Sequence, residues 1–230
     1  EPLCNTRWRL YARSDAGAWR LVSHADEFDT REPCPLGVMQ DGRVLISTNP
    51  LIDGSARRSG PSSPGLVEFS AVAAGTGPAS APTALAIPWA DGHSFTEHSY
   101  RGFAVDGESS SLIVMNIDSP TGDQFWAHRD AAGSWTNTGR LPFPIRSCYP
   151  QVALRNGSAH VLAIGDIVEP VDEWREYKFE QTQRTWDYVF RRLFYAYAPD
   201  ATTGQFREAV EIEDLDATAG HISNLDLFVA

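Results

Sequence analysis

The chain has 230 residues, a formal net charge of -11 at pH 7 and 42% hydrophobic residues, enough to bury an ordinary globular core. The acidity, with no cluster of Lys and Arg, opposes nucleic-acid binding, which rests on neutralising phosphates. No apolar stretch approaches the roughly 20 residues of a membrane-spanning helix, and the chain opens on Glu1 without a basic-then-apolar leader, so a soluble protein away from the membrane is expected.

Taken in chain order, hairpins of two kinds alternate. The first kind covers residues 8–22, where Leu10-Tyr11-Ala12 runs through Asp15 and Gly17 to Trp19. It recurs at 125–138 (Phe125-Trp126-Ala127, Asp130, Gly133, Trp135) and at 193–210 (Phe194-Tyr195-Ala196, Asp200, Gly204, Phe206), with a fainter copy from Leu66. Each is an aromatic strand, a turn with Asp and Gly, and an aromatic residue on the return. The second kind is more apolar and turns at Asp41-Gly42, Asp106-Gly107 and Asn156-Gly157, among the strongest short hairpin signals. A fourth copy starts at His221-Ile222-Ser223-Asn224.

Two hairpins per repeat make a four-stranded antiparallel blade, and radial repetition of blades is how a β-propeller manages exposed sheet edges. The predicted fold is therefore all-β, a single partial propeller over 1–230. It comprises a half-blade at 7–23, blades at about 34–88, 100–140 and 149–211, and the start of a further blade at 221–230. Roughly four blade-equivalents are few for a ring of this blade size, since propellers usually have about 4 to 8. The other half of the ring is expected on the same or another chain. The competing arrangement is a two-sheet sandwich. Residues 61–64 and 71–82, rich in Gly, Ser, Ala and Pro, are surface loops, and the charged, aromatic run 173–180 inside 169–185 is a helix inserted between strands as a lid.

The starts of innermost strands converge at one mouth of a propeller. That collects Glu32; Glu97, His98 and Tyr100; Arg146, Cys148 and Tyr149; and His221 and Asn224. Imidazole, phenol and guanidinium together suit proton transfer or recognition of a carboxylate. Arg191 and Arg192 alternate across one strand, so one must be packed against a partner. Trp126, His128, Trp174 and Tyr177 are either core or platforms for sugar rings. Cys4, Cys34 and Cys148 have no zinc spacing and are read as buried thiols, a Cys4–Cys34 disulfide being the alternative.

The run His98-Ser99-Tyr100-Arg101-Gly102-Phe103-Ala104-Val105-Asp106-Gly107, with Leu112-Ile113-Val114-Met115-Asn116 after it, resembles the His-x-Tyr inner hairpin of the BNR-4 repeat proteins. Ser147-Cys148-Tyr149-Pro150 resembles that family's Tyr-Pro strand start. The group includes seven-bladed propeller polysaccharide lyases acting on ulvan and on rhamnose-glucuronate linkages. The resemblance covers about residues 97–200. It implies that His98 and Tyr149 are catalytic, in a ring of seven blades of which this chain supplies about half. Two positions depart from the pattern: the family's second histidine falls on Asp118, and its arginine falls near Gly165 or Asp166.

A lyase of this kind neutralises a uronate carboxylate, removes the C5 proton and protonates the leaving oxygen. Tyr100, Arg101, Asp118, Arg191, Arg192, His221 and Asn224 are the expected substrate-binding residues. The expectation is thus an exported enzyme, secreted or periplasmic, acting on a uronate-containing poly- or oligosaccharide. The alternatives are a sialidase-like glycoside hydrolase, for which no arginine triad is evident, and a non-catalytic glycan-binding propeller. No cofactor or catalytic metal is expected. Acidic turns such as residues 211–216 offer oxygen ligands for a structural Ca²⁺, although none has a recognised calcium spacing.

Overall fold

The computed structural model describes residues 6–29, 33–53, 60–70, 81–95, 100–185 and 188–216. Among these the chain is β-structure apart from one helix. It opens with a two-stranded hairpin, β1 (Arg9–Arg13) and β2 (Trp19–His24). Three four-stranded antiparallel sheets follow. Sheet 1 comprises β3 (Leu36–Val38), β4 (Val44–Thr48), β5 (Gly65–Phe69) and β6 (Thr83–Ala86). Sheet 2 comprises β7 (Gly102–Asp106), β8 (Ser111–Ile117), β9 (Gln124–Arg129) and β10 (Trp135–Leu141). Sheet 3 begins with β11 (Ser147–Arg155) and β12 (Ser158–Gly165). The chain then leaves the sheet for a small ribbon of β13 (Ile167–Val168) and β14 (Tyr188–Val189), with helix α1 (Asp172–Thr182) between them. It returns with β15 (Arg192–Ala198) and β16 (Val210–Asp214).

The turn signals explain the inner hairpins. At Asn156-Gly157 both residues have positive φ (50° and 78°), the conformation that matches the twist of paired strands and that Asn and Gly adopt most cheaply.

Sheet 2 lies between the other two. Along β8 every residue is buried, and alternation splits the strand between two cores. Leu112 and Val114 pack with Met39, Leu45, Leu66 and Ile87 of sheet 1 and the segment after it. Ile113 and Met115 pack with Leu154, Val161 and Ala196 of sheet 3. A strand buried on both faces reads as a continuous apolar run, as Leu112–Met115 does. A middle sheet covered on both faces is not the arrangement of a two-sheet sandwich.

The first strands of the sheets lie side by side, β3 against β7 and β7 against β11. Glycine permits the approach. A Cβ on Gly37 would fall 2.2 Å from Val105 Cγ2, and one on Gly102 would fall 2.4 Å from Val152 Cγ2. Gly102→Ala is therefore expected to force β7 and β11 apart, costing about 1–3 kcal/mol in denaturant unfolding; a loss within error would show that the seam accommodates a methyl group. Polar ties reinforce both seams. Glu68 of sheet 1 accepts from Arg129 of sheet 2 at 2.7 Å, and Asp106 of sheet 2 accepts the Asn156 N–H of sheet 3 at 2.7 Å.

Trp126 and His128, read from sequence as core or as sugar platforms, are core: 0% and 1% exposed. Trp126 joins the cluster between sheets 2 and 3, and His128 meets Thr136 Oγ1 at 2.7 Å. Neither Cys34 nor Cys148 is in a disulfide, and Cys4 lies outside the described residues. No described helix is long and apolar enough to cross a membrane.

Candidate active site

Antiparallel pairing brings the start of each sheet's first strand beside the end of its second. In sheet 2 this end carries Tyr100, Arg101 and Asp118. In sheet 3 it carries Ser147, Cys148, Tyr149 and Asp166, the Asp166 N–H donating to Arg146 O at 2.9 Å. In sheet 1 it carries Cys34 and Asn49. Sequence-distant polar residues thus gather at one end of the seam formed by β3, β7 and β11.

Between sheets 1 and 2, Arg101 is buried. Its Nη2 lies 3.1 Å from Asp29 Oδ1 and its Nη1 donates to Ser47 O at 3.2 Å. The other Asp29 oxygen accepts the Asn49 N–H at 2.9 Å. Cys34 hydrogen-bonds to both partners, and burial pushes its thiol up to about 12, against the opposing pull of Arg101. That thiol is protonated at neutral pH and is not a nucleophile. Arg101 therefore braces the seam through a fully internal ion pair.

Between sheets 2 and 3 the arrangement is different. Tyr100 is 6% exposed while Tyr149 is 41% exposed. Their rings meet edge to face with centroids 4.5 Å apart, and Phe190 lies 5.8 Å from the Tyr149 ring on another side. Tyr149 has φ +48°. Positive φ is uncommon for a bulky residue, and a residue preceding proline, here Pro150, is pushed toward extended backbone. Such a conformation costs on the order of 1–3 kcal/mol and persists only where its surroundings enforce it. The enforcement is visible in the pairing of β11 with β12, whose register shifts between Cys148 and Gln151. This bulge lifts Tyr149 out of the ladder and turns its side chain outward.

Tyr100 hydrogen-bonds to Tyr149. Its phenol is pushed above the ordinary tyrosine range, chiefly by burial and then by the negative charge of Asp166. Tyr100 is therefore protonated at physiological pH and is available as a donor. Asp166 in turn is gripped by Arg146, Nε to Oδ2 3.1 Å.

The other predicted site residues fall into three groups. Asp118 closes the β8–β9 turn, accepting from Thr121 N (3.1 Å) and Thr121 Oγ1 (2.7 Å), and also from the Ser94 N–H. Arg191 and Arg192 point to different partners, as strand alternation requires. Arg191 is 2% exposed, with Glu169 at 2.7 Å, Asp216 at 2.8 Å and the Trp174 ring at 5.1 Å. Arg192 forks onto both carboxylate oxygens of Glu211, at 2.5 and 2.9 Å. The carboxylates held by both arginines are thus internal ones. His98, His221 and Asn224, together with Glu32 and Glu97, lie outside the described residues.

Asp29, Asp166 and Phe190 complete the site without having been singled out as members. Asp29 offers no signal in the sequence, because an isolated Asp is most often solvated. Asp166 follows a buried β12, and its counterpart Asp118 follows β8; that repeated position was a readable signal.

Among the described residues no group of three or more His, Cys, Asp or Glu is placed to hold a metal ion. No protein-family model matches the chain, and no curated protein matches it. Among solved structures it is similar to the parainfluenza virus 5 hemagglutinin-neuraminidase with the ligand DANA, at TM-score 0.39 and 8% identity over 78% of this chain and 53% of that one. It is also similar to an apocarotenoid oxygenase variant from Synechocystis, at TM-score 0.40 and 12% identity over 86% of this chain and 46% of that one. The chain spans about half the length of each.

Proposed function

We propose that this chain is part of a β-propeller polysaccharide lyase that cleaves beside a uronic acid by β-elimination, with Tyr149 moving the proton. The observation that carries the reading is the state of Tyr149: a phenol held half-exposed on a left-handed backbone at a bulge, hydrogen-bonded to a buried, protonated Tyr100. The three face-to-face sheets with adjoining first strands support a radial arrangement, in which the mouth gathers residues from every blade. The resemblance of the Tyr149-Pro150 strand start to the BNR-4 lyases places the same residue type at this point. A ring of seven blades, about half of it in this chain, belongs to the same proposal.

In the reaction, Tyr149 enters as the phenolate, its proton released to solvent; its oxygen takes the C5 proton, the C4–O bond breaks, and the electron pair of the C5–H bond becomes a C4=C5 double bond. The leaving glycosidic oxygen is protonated by an acid of the site or by the phenol just formed. Tyr100 is the donor for the Tyr149 oxygen while that oxygen is anionic, since burial keeps its own proton in place. His98, and the substrate-binding set with His221 and Asn224, would meet the carboxylate and the flanking sugars. Neutralising that carboxylate is worth more in the carbanion-like transition state than in the ground state. The protein is proposed to act outside the cytoplasm, where such glycans occur.

Incubating the full-length protein with ulvan, rhamnose-glucuronate glycans and other uronates is expected to raise the ultraviolet absorbance of a conjugated unsaturated uronate. Absence of that absorbance on every uronate, with release of a sialoside aglycone instead, would replace the lyase by the sialidase-like reading.

A further inference from the structure

A groove of about 780 Å³ opens at the same end of the sheets as Tyr149, over sheet 1. Thr48 closes β4, Gly65 opens β5 and Ala86 closes β6, so its floor is the end of those strands. One wall is formed by Ile87, Pro88, Trp89, His93 and Phe95 and the other by Ser62, Ser63 and Pro64. Its volume lies within the range of small-molecule sites.

The walls are built rather than loose. His93 stacks on Phe95 with centroids 4.5 Å apart and planes 25° apart, and Trp89 meets Phe95 edge-on at 5.1 Å. Trp89 Nε1 donates to Pro64 O across the groove at 3.4 Å. Ser62 N donates to Phe95 O at 3.1 Å, and Ser119 N to Ser94 O at 3.0 Å, tying the aromatic segment to sheet 1's loop and to sheet 2's turn. The rings are thus fixed before any ligand arrives, which removes part of the ordering cost of binding.

The chemistry of the lining is specific. Among the described residues none is Asp, Glu, Lys or Arg, in a chain whose net charge is -11. The lining includes ring-bearing residues (Trp89, His93, Phe95) and hydroxyl-bearing ones (Thr48, Ser62 and the exposed Ser63). Rings accept the apolar C–H face of a pyranose and hydroxyls accept its equatorial edge. A uronate carboxylate would find no Lys or Arg among the described lining residues. We infer that the groove is a subsite for uncharged sugar residues of the glycan, beside the uronate that reacts at Tyr149. The inference rests on the carbohydrate reading given above. Its energetic sense is that binding remote, unreactive sugars helps to hold the reacting one in register.

The test is calorimetric titration of the full chain with neutral gluco-, xylo- and manno-oligosaccharides, with Trp89 fluorescence as a second readout. At least one is expected to bind and to perturb Trp89. Ser63→Arg, at an exposed lining position, and His93→Ala should each weaken that binding by about tenfold or more, whereas Tyr149→Phe should leave it unchanged. No binding of any neutral oligosaccharide, or binding indifferent to both groove substitutions, overturns the subsite. The two readings fail separately. Uronate cleavage that depends on Tyr149 but ignores Ser63→Arg sinks the subsite alone. Neutral-sugar binding that depends on Ser63 in a protein with no uronate cleavage sinks the lyase alone and leaves the subsite standing.

Discussion

Replacing Tyr149 by Phe is expected to lower uronate cleavage by about 10²–10⁴-fold, the usual contribution of a positioned proton-transfer group. The substitution removes one oxygen from a ring that is 41% exposed, so the edge-to-face contact with Tyr100 and the tilted contact with Phe190 remain. It also takes away the partner of the buried Tyr100 hydroxyl, so stability should fall by no more than the roughly 1–3 kcal/mol of one buried group left unsatisfied. Tyr100→Phe is the informative companion. It removes the donor but not the proton-transfer group, and should cost roughly tenfold in rate, a weakened hydrogen bond in the transition state rather than a lost one. The measurement is initial rate against substrate concentration, with unfolding followed in parallel. Full activity in Tyr149→Phe, or a stability loss large enough to account for the rate, would remove Tyr149 from the chemistry.

The second large effect concerns Glu169→Gln. Glu169 is 1% exposed and joins two cations that are themselves buried, Lys178 at 3.1 Å and Arg191 at 2.7 Å. Burial alone would raise its carboxyl, but the hydrogen bonds from Arg191 and Lys178 win, and its pKa is held below the ordinary value of 4.5. A buried ion pair is of uncertain net worth, but removing one partner leaves charge stranded in low dielectric. Glu169→Gln strands Lys178 and leaves Arg191 with Asp216 as its carboxylate, and a loss of about 3–5 kcal/mol is expected in denaturant unfolding. The loss should concentrate at helix α1, visible as faster amide exchange there, because Lys178 is the only buried residue of that helix. The sign with pH follows from linkage. A carboxyl whose folded pKa is lowered stabilises fully above its unfolded value, and that contribution fades as pH falls through the folded value. Wild type should thus lose an increment below the ordinary carboxylate range that Glu169→Gln never had. Unaltered stability in the variant would mean that the cations find water or other anions.

The fold was legible where local chemistry and burial agreed. Asp41-Gly42, Asp106-Gly107 and Asn156-Gly157 mark the inner hairpins, and Leu112–Met115 marks a strand apolar on both faces, now seen wedged between two sheets. The expected helix over 173–180 runs from Asp172 to Thr182 and ends on Gln183 at φ +57°. Legibility failed where tertiary partners decide. Trp126 and His128 look the same in sequence whether they face a sugar or a neighbouring sheet. The fates of Arg101 and Arg191 depend on Asp29 and Glu169, which are 72 and 22 positions away. Tyr149 was legible as a residue and illegible as a conformation, because Pro150 argues for extended backbone and only the register shift in β11 overrides it.

The register shift has a consequence for how such a site can vary. From Gln151 onward β11 is paired residue for residue with β12, and Ser147 and Cys148 are paired before it, while Tyr149 and Pro150 answer to the bulge rather than to the ladder. A change confined to Pro150 can re-aim the phenol without sliding the strand, so the reactive tip is adjustable on a scaffold that stays put.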